Sequence, residues 1–154
     1  MKDSFTALFS NPCFWAASAA WMLAQFTKML CGFTRTRRLD CHYFVSTGGM
    51  PSAHSALVTG LATSVGMMEG FGSAVFAVSM GFALIVMFDA STVRRAAGTQ
   101  AKLLNEIVAE LFKEHHLSEK KLKELLGHTR LEVFMGLVMG ILVGVEVYLL
   151  MRPS

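Results

Sequence analysis

The chain has 154 residues, of which 53% are hydrophobic and only 16% are charged. Soluble domains carry about 25% charged residues, so this composition is typical of a membrane protein rather than a soluble one. The mean hydropathy of +0.48 points the same way. The length indicates a single membrane domain over residues 1–154.

The net charge of +3 is small, and we expect no nucleic-acid partner. The three cysteines are odd in number and lack metal-ligand spacing, which argues against a disulfide framework, and we expect no cleaved signal peptide.

Apolar runs predict four transmembrane helices, because about 20 residues cross a bilayer. Asn11 can cap the first helix, and Pro12 suits its first position. In the second span, small residues at Ala56, Gly60 and Ser64 recur at every fourth position and would let another helix pack closely. The predicted spans are residues 12–33, 53–68, 73–88 and 131–151.

Residues 89–130 are more polar than the spans. From Thr99 to about Lys113, apolar residues recur at helical spacing, which predicts an amphipathic helix lying along the membrane or against the bundle. Ser118 can cap a second short helix that Gly127 would end. With four spans, segment 89–130 lies on the side that holds nearly all the Lys and Arg, which the positive-inside rule makes cytoplasmic. We therefore predict an all-α integral membrane bundle with short amphipathic cytoplasmic helices, in the inner or plasma membrane.

A glycine-rich turn, Ser46-Thr47-Gly48-Gly49-Met50-Pro51-Ser52-Ala53-His54-Ser55, precedes the second span. A glycine pair permits a tight turn and close approach to a ligand. Pro51 suits the start of a helix, and helix N-termini favour anions through their free N–H groups and the macrodipole. The stretch therefore predicts a phosphate-type site, with Gly49 in its turn, at a membrane surface.

The predicted topology brings polar residues from all four spans into one cytoplasmic layer. Cations and N–H groups in such a layer could hold phosphate oxygens and offset developing charge. One histidine could attack phosphorus while another protonates the leaving oxygen, and a glutamate four residues after a histidine could orient its ring. Each residue also has an ordinary explanation as a helix cap, a membrane anchor or a first-turn acid. The residues of this layer are Lys28, Ser52, His54, Asp89, Arg94, Arg95, His128 and Glu132.

The motif Pro51-Ser52-Ala53-His54 resembles the Pro-Ser-(small)-His motif of the type-2 phosphatidic acid phosphatase superfamily, which includes vanadium-dependent haloperoxidases. The wider pattern is similar to the divergent, short membrane branch of that superfamily, and the resemblance covers nearly the whole chain. It runs through Ser46–Thr59, Asp89–Gly98 with Gln100 and Leu104-Asn105, and Leu122–Thr129 with Leu131–Phe134.

The resemblance implies a phosphohydrolase that acts on a lipid phosphate or diphosphate without a metal or other cofactor. It makes His128 the nucleophile and His54 the general acid, with Glu132 where the superfamily has aspartate. Where the superfamily has Ser-Arg shortly before the nucleophile, this chain has Lys121-Leu122, so a guanidinium would come from elsewhere. The phosphate-binding residues would be Lys28, Gly49, Ser52, the backbone near Ala53, and Arg94 or Arg95, with Asp89 and Arg35 in possible support.

Three alternatives remain open. The missing Ser-Arg motivates a non-catalytic membrane module that binds anionic lipid headgroups or a protein partner. The residue types of His54, His128, Asp89 and Glu132 permit a metal site, which the nearby cations would oppose. The superfamily link also permits a haloperoxidase.

Because four short spans make a thin bundle, a homodimer would seal the site better.

Overall fold

The computed structural model describes residues 2–36, 49–111 and 127–152, and this part of the chain contains helices and no strand. The all-α prediction is confirmed. The helices, in chain order, are α1 (Lys2–Phe9), α2 (Pro12–Thr36), α3 (Ala53–Glu69), α4 (Ala74–Ser91), α5 (Val93–Leu111) and α6 (Arg130–Met151).

Side-chain caps fix where several of these helices begin. The Asn11 Oδ1 atom accepts a hydrogen bond of 2.8 Å from the Cys13 backbone N–H, as its predicted capping role requires. The Ser73 hydroxyl likewise accepts from the N–H of Phe76 at the start of α4. α3 begins at Ala53, the first residue of the predicted second span, with Ser52 as its cap and Pro51 just before the cap. The Ser52 hydroxyl, and not the ring of Pro51, therefore marks the start of α3.

α3 is the central helix, since it packs against α2, α4 and α6. The small residues predicted to allow close packing, Ala56, Gly60 and Ser64, are all buried. A Cβ on Gly60 would lie 2.9 Å from the carbonyl oxygen of Ala16 in α2. Glycine is therefore needed at this position for the two backbones to approach each other.

Three glycines of α6 form the contact with α3. Gly136, Gly140 and Gly144 recur at every fourth position and so share one face of the helix. A Cβ on Gly140 would overlap the Thr59 hydroxyl and the Ala56 carbonyl oxygen of α3. This face, the α6 glycine face, brings the two backbones closer than any larger residue allows.

Two stretches of the described chain are long and apolar enough to cross a membrane, namely Ala74–Ala109 and Arg130–Met151. The first runs through α4 into α5, and the second is α6. α3 has 17 residues, fewer than the roughly 20 that usually span a bilayer. That α2 and α3 also cross, giving four spans, stays a prediction.

The amphipathic helix α5 begins at Val93, earlier than the predicted start at Thr99, because the intervening residues continue the helix without a break. Among the described helices it contacts α4 alone. Its apolar residues Leu103, Leu104 and Ile107 are exposed. The short helix predicted after Ser118 lies outside the described residues.

We expect Gly140→Ala to lower the free energy of unfolding by about 1–3 kcal/mol, because the new methyl group would be forced into the backbone and Thr59 of α3. Thermal unfolding of the purified protein in detergent measures this. The matched control is Gly81→Ala on α4, where a Cβ would meet no atom within 4 Å. Gly81→Ala should leave stability unchanged or raise it by up to about 1 kcal/mol. Equal stability of the two variants would contradict the proposed role of the α6 glycine face.

Candidate functional site

A cavity of about 500 Å³, with the charged side chains of Lys28 and Glu132 in its wall, lies between the last turns of α2, the turn at Gly49 and the start of α6. This volume is within the usual range for sites that bind small molecules, about 300–1,000 Å³. We call it the head cavity. Its described lining residues are Lys28, Cys31, Gly32, Thr34, Gly49, Met50, Thr129, Leu131 and Glu132.

Lys28 supplies the positive charge of the head cavity. Only 4% of its surface is exposed, although it carries an ammonium group. A buried charge is costly unless an opposite charge compensates it, and the Glu132 carboxylate attracts Lys28 across this cavity. A Lys28 side chain that extended along α2 to reach water at the membrane interface would not be buried to this degree. Lys28 instead faces the protein interior.

Gly49 allows the turn to lie against the lysine. Its φ of +94° is in the left-handed region, which residues with a Cβ rarely adopt. A Cβ at this position would also lie 3.3 Å from Cγ of Lys28. The glycine therefore serves both the turn and the packing of the turn on the Lys28 stem.

The Glu132 carboxylate holds the ring of His128. Its Oε2 atom lies 3.0 Å from Nδ1 of His128, and only 3% of the histidine is exposed. An ionised carboxylate can only accept, so Nδ1 carries the proton and donates it. This tautomer puts the basic lone pair on Nε2, the arrangement that an attacking histidine requires.

The same carboxylate oxygen caps α6. Oε2 of Glu132 accepts a second hydrogen bond, also 3.0 Å, from the backbone N–H of Thr129. The Thr129 hydroxyl in turn accepts from the N–H of Glu132, which completes a capping box. The first turn of α6 and the orientation of His128 therefore depend on a single carboxylate.

Two backbone hydrogen bonds attach this turn to the neighbouring helices. The His128 N–H donates to the carbonyl of Ala90 at the end of α4, at 3.2 Å. The Ser52 N–H donates to the carbonyl of Glu132 at 2.9 Å. The ends of α3, α4 and α6 are thus joined at His128 and Glu132, as the predicted layer of helix ends requires.

The remaining residues of the Pro-Ser-Ala-His motif have different environments. Ser52 is fully buried, and its hydroxyl accepts from the hydroxyl of Ser55 at 3.0 Å. Ala53 is buried in the apolar core beside α2 and α6. His54 lies in the first turn of α3 and is exposed. None of the three is among the described residues that line the head cavity, so their roles towards phosphate stay predictions.

The basic residues after α4 are not brought to the head cavity in the described part of the chain. Arg95 is exposed on α5, a helix that contacts only α4 there. Asp89 lines a separate surface groove with Phe88 and Val93. The side chains of Arg94 and Arg35 lie outside the described part. The phosphate contacts predicted for Arg94 or Arg95, and the support predicted from Asp89 and Arg35, stay predictions.

The candidate metal set is also dispersed. Among the described residues, no group of three or more His, Cys, Asp or Glu side chains could hold a metal ion. His128 and Glu132 make a close pair, whereas Asp89 lies on a different groove.

Thr129 lines the head cavity and was not predicted as a site residue. Its signal was present, because Thr129-Arg130-Leu131-Glu132 has the Thr-x-x-Glu spacing of a capping box. The cap places the Thr129 side chain in the wall of the head cavity. Cys31 and Met50 were missed as well, and no sequence pattern marks them.

We expect Glu132→Ala to lower the free energy of unfolding by about 1 kcal/mol, because the N–H of Thr129 and Nδ1 of His128 both lose their acceptor. Glu132→Gln keeps an acceptor oxygen at this position and should retain most of the stability. Thermal unfolding in detergent compares the two variants with the unmodified chain. Equal losses in both would mean that the negative charge, and not the hydrogen bonds, stabilises this turn.

Comparisons with known proteins identify the family of the chain. The chain is 46% identical over 135 residues to the uncharacterized membrane protein YuiD of Bacillus subtilis (strain 168), covering 80% of this chain and 85% of the relative. No solved structure matches the chain. The family model described as "Divergent PAP2 family" matches residues 9–143, which include Lys28, the glycine turn, His128 and Glu132. The chain is therefore a membrane protein that belongs to the divergent PAP2 family.

Proposed function

We propose that this protein is a membrane phosphatase that hydrolyses a lipid phosphate or diphosphate through His128. The observation that carries the proposal is the 3.0 Å hydrogen bond between Nδ1 of His128 and Glu132. Glu132 lines the cavity that also contains the buried Lys28, whereas His128 lies behind Glu132 and is not among the described lining residues. This combination offers an oriented nucleophile and a cation for the phosphate oxygens. Membership of the divergent PAP2 family supports the same reaction class.

In the proposed reaction, Nε2 of His128 attacks phosphorus, and the bond from phosphorus to the lipid oxygen breaks. His54 donates a proton to that leaving oxygen, and water then cleaves the phosphohistidine to release inorganic phosphate. Glu132 stabilises the ring as it becomes positively charged. Lys28 offsets the charge that develops on the phosphate oxygens, so the mechanism uses side-chain cations and invokes no metal.

One observation favours a second candidate, a module that binds an anionic headgroup without hydrolysing it. Among the described residues that line the head cavity, Lys28 is the one with a positive charge. Phosphoryl transfer is usually supported by several cations around the phosphate. A cavity with a single lysine could bind a phosphate headgroup and catalyse nothing.

We also propose that the head cavity opens on the cytoplasmic side of the inner or plasma membrane. The end of α2 and the starts of α3 and α6 meet there. Nine of the 14 Lys and Arg residues lie in sequence between α2 and α3 or between α4 and α6, in agreement with the positive-inside rule. A homodimer would seal a thin bundle of this kind.

The direct test is phosphate release by the purified protein in detergent, with phosphatidic acid, phosphatidylglycerol phosphate and a polyprenyl diphosphate as substrates. We expect release that survives EDTA and is blocked by vanadate. His128→Ala should abolish release, because no nucleophile remains. His54→Ala should reduce it by about 10²–10⁴-fold, the usual contribution of a general acid.

Glu132→Gln is the matched control for the catalytic carboxylate, because it keeps the cap of α6 and removes the charge. We expect this folded variant to lose most of its activity. Unchanged release by His128→Ala would rule out the proposed mechanism. Vanadate binding by a folded protein that releases no phosphate from any substrate would favour the binding module.

A further inference from the structure

An apolar groove of about 420 Å³ continues from the head cavity along the outside of the bundle. It lies between α2 and α6, and we call it the α2–α6 groove. Cys31 and Met50 line both the groove and the head cavity, so the two spaces share a wall. One end of the groove therefore adjoins the place where Lys28 and Glu132 would meet a phosphate.

The groove follows one face of each helix. Leu23, Thr27 and Cys31 recur at every fourth position of α2, and Met135 and Leu142 lie seven residues apart on α6. Leu23, Met135 and Leu142 are 44%, 41% and 65% exposed, so the groove opens on the outer surface of the helix bundle. A chain lying in the surrounding bilayer can enter it sideways.

We propose that the α2–α6 groove holds the single apolar chain of the lipid whose phosphate occupies the head cavity. The inference rests on the proposed function for the identity of the headgroup. An amphiphile with a phosphate at Lys28 must place its chain next to that cavity, and the groove is apolar and adjoins it. Among the apolar cavities of the described residues, the groove shares lining residues with the head cavity, whereas the cavity beside Phe76 and Met80 shares none. We therefore expect one chain to lie beside the headgroup.

Glu146 marks the far end of the groove. From Met135 to Glu146 the groove follows α6 for about 16 Å, given the helical rise of about 1.5 Å per residue. A carboxylate is poorly solvated beside a hydrocarbon chain, so a chain that extends past this point would be disfavoured. We expect Glu146 to limit the length of the chain that fits.

Photolabelling of the full-length protein in detergent micelles tests the groove without requiring turnover. The probe is dodecyl phosphate with a diazirine near the end of its chain, and the control is the same diazirine chain as a free alcohol. We expect the phosphate probe to label α2 and α6 at Leu23 and Leu142, and excess unmodified dodecyl phosphate to suppress that labelling. The alcohol should instead label exposed lipid-facing residues throughout, including Val78 and Ile85 of α4.

Two pairs of variants test the same inference. Leu142→Trp should fill the groove and reduce labelling by the phosphate probe about tenfold, a change of about 1.4 kcal/mol. Leu150→Trp, on the same helix at a residue that is 77% exposed and outside the groove lining, should leave it unchanged. In Glu146→Leu, unmodified hexadecyl phosphate should suppress labelling by the phosphate probe more strongly, relative to octyl phosphate, than it does in the unmodified protein. Glu146→Gln should show a smaller change in the same direction.

The outcomes separate the groove from the chemistry. If the groove is labelled but no phosphate is released, the groove proposal is supported and the protein is a lipid-binding module rather than a phosphatase. If the protein releases phosphate but the phosphate probe labels the same residues as the alcohol, the groove proposal is overturned and the phosphatase proposal stands. Crosslinking of Leu142→Cys between two copies, without groove labelling, would show a protein interface there and would also overturn the proposal.

Discussion

The close approach of α3 and α6 is the constraint on which the rest of this structure depends. Gly136, Gly140 and Gly144 leave no side chain between the two backbones, and the α3 residues opposite them are small. Lipid tails are as apolar as leucine, so membrane helices associate through such tight packing rather than through hydrophobic burial. The contact brings the Ser52 N–H to the Glu132 carbonyl and so fixes the start of α6 beside the start of α3.

The Glu132 carboxylate connects this helix packing to the candidate site. One oxygen caps the first turn of α6 and holds Nδ1 of His128, so helix formation and ring orientation depend on the same group. The explanation of Glu132 as an ordinary first-turn acid and its explanation as the partner of a histidine are therefore both correct. In the proposed mechanism, this cap keeps His128 oriented before any ligand binds, which lowers the cost of positioning it.

The arrangement of polar and apolar surfaces matches that of an amphiphile. Lys28 and Glu132 lie at one end of α2 and α6, and the apolar α2–α6 groove follows the same two helices away from them. A recess that holds two charged side chains and adjoins an apolar groove suits a ligand with a charged head and a hydrocarbon tail. The proposed phosphatase and the alternative binding module both use this geometry and differ only in whether His128 reacts.

The sequence by itself determined the helical class, the membrane character, the small-residue stripe of α3 and the spacing that pairs His128 with Glu132. These depend on composition and on contacts within one helix, which local spacing fixes. Tertiary structure alone decided that Lys28 is buried at the head cavity, that Cys31 and Met50 join this cavity to a groove, and that Arg95 lies away from it. Those facts depend on how helices distant in sequence pack against one another, and no periodicity within a single helix encodes that packing.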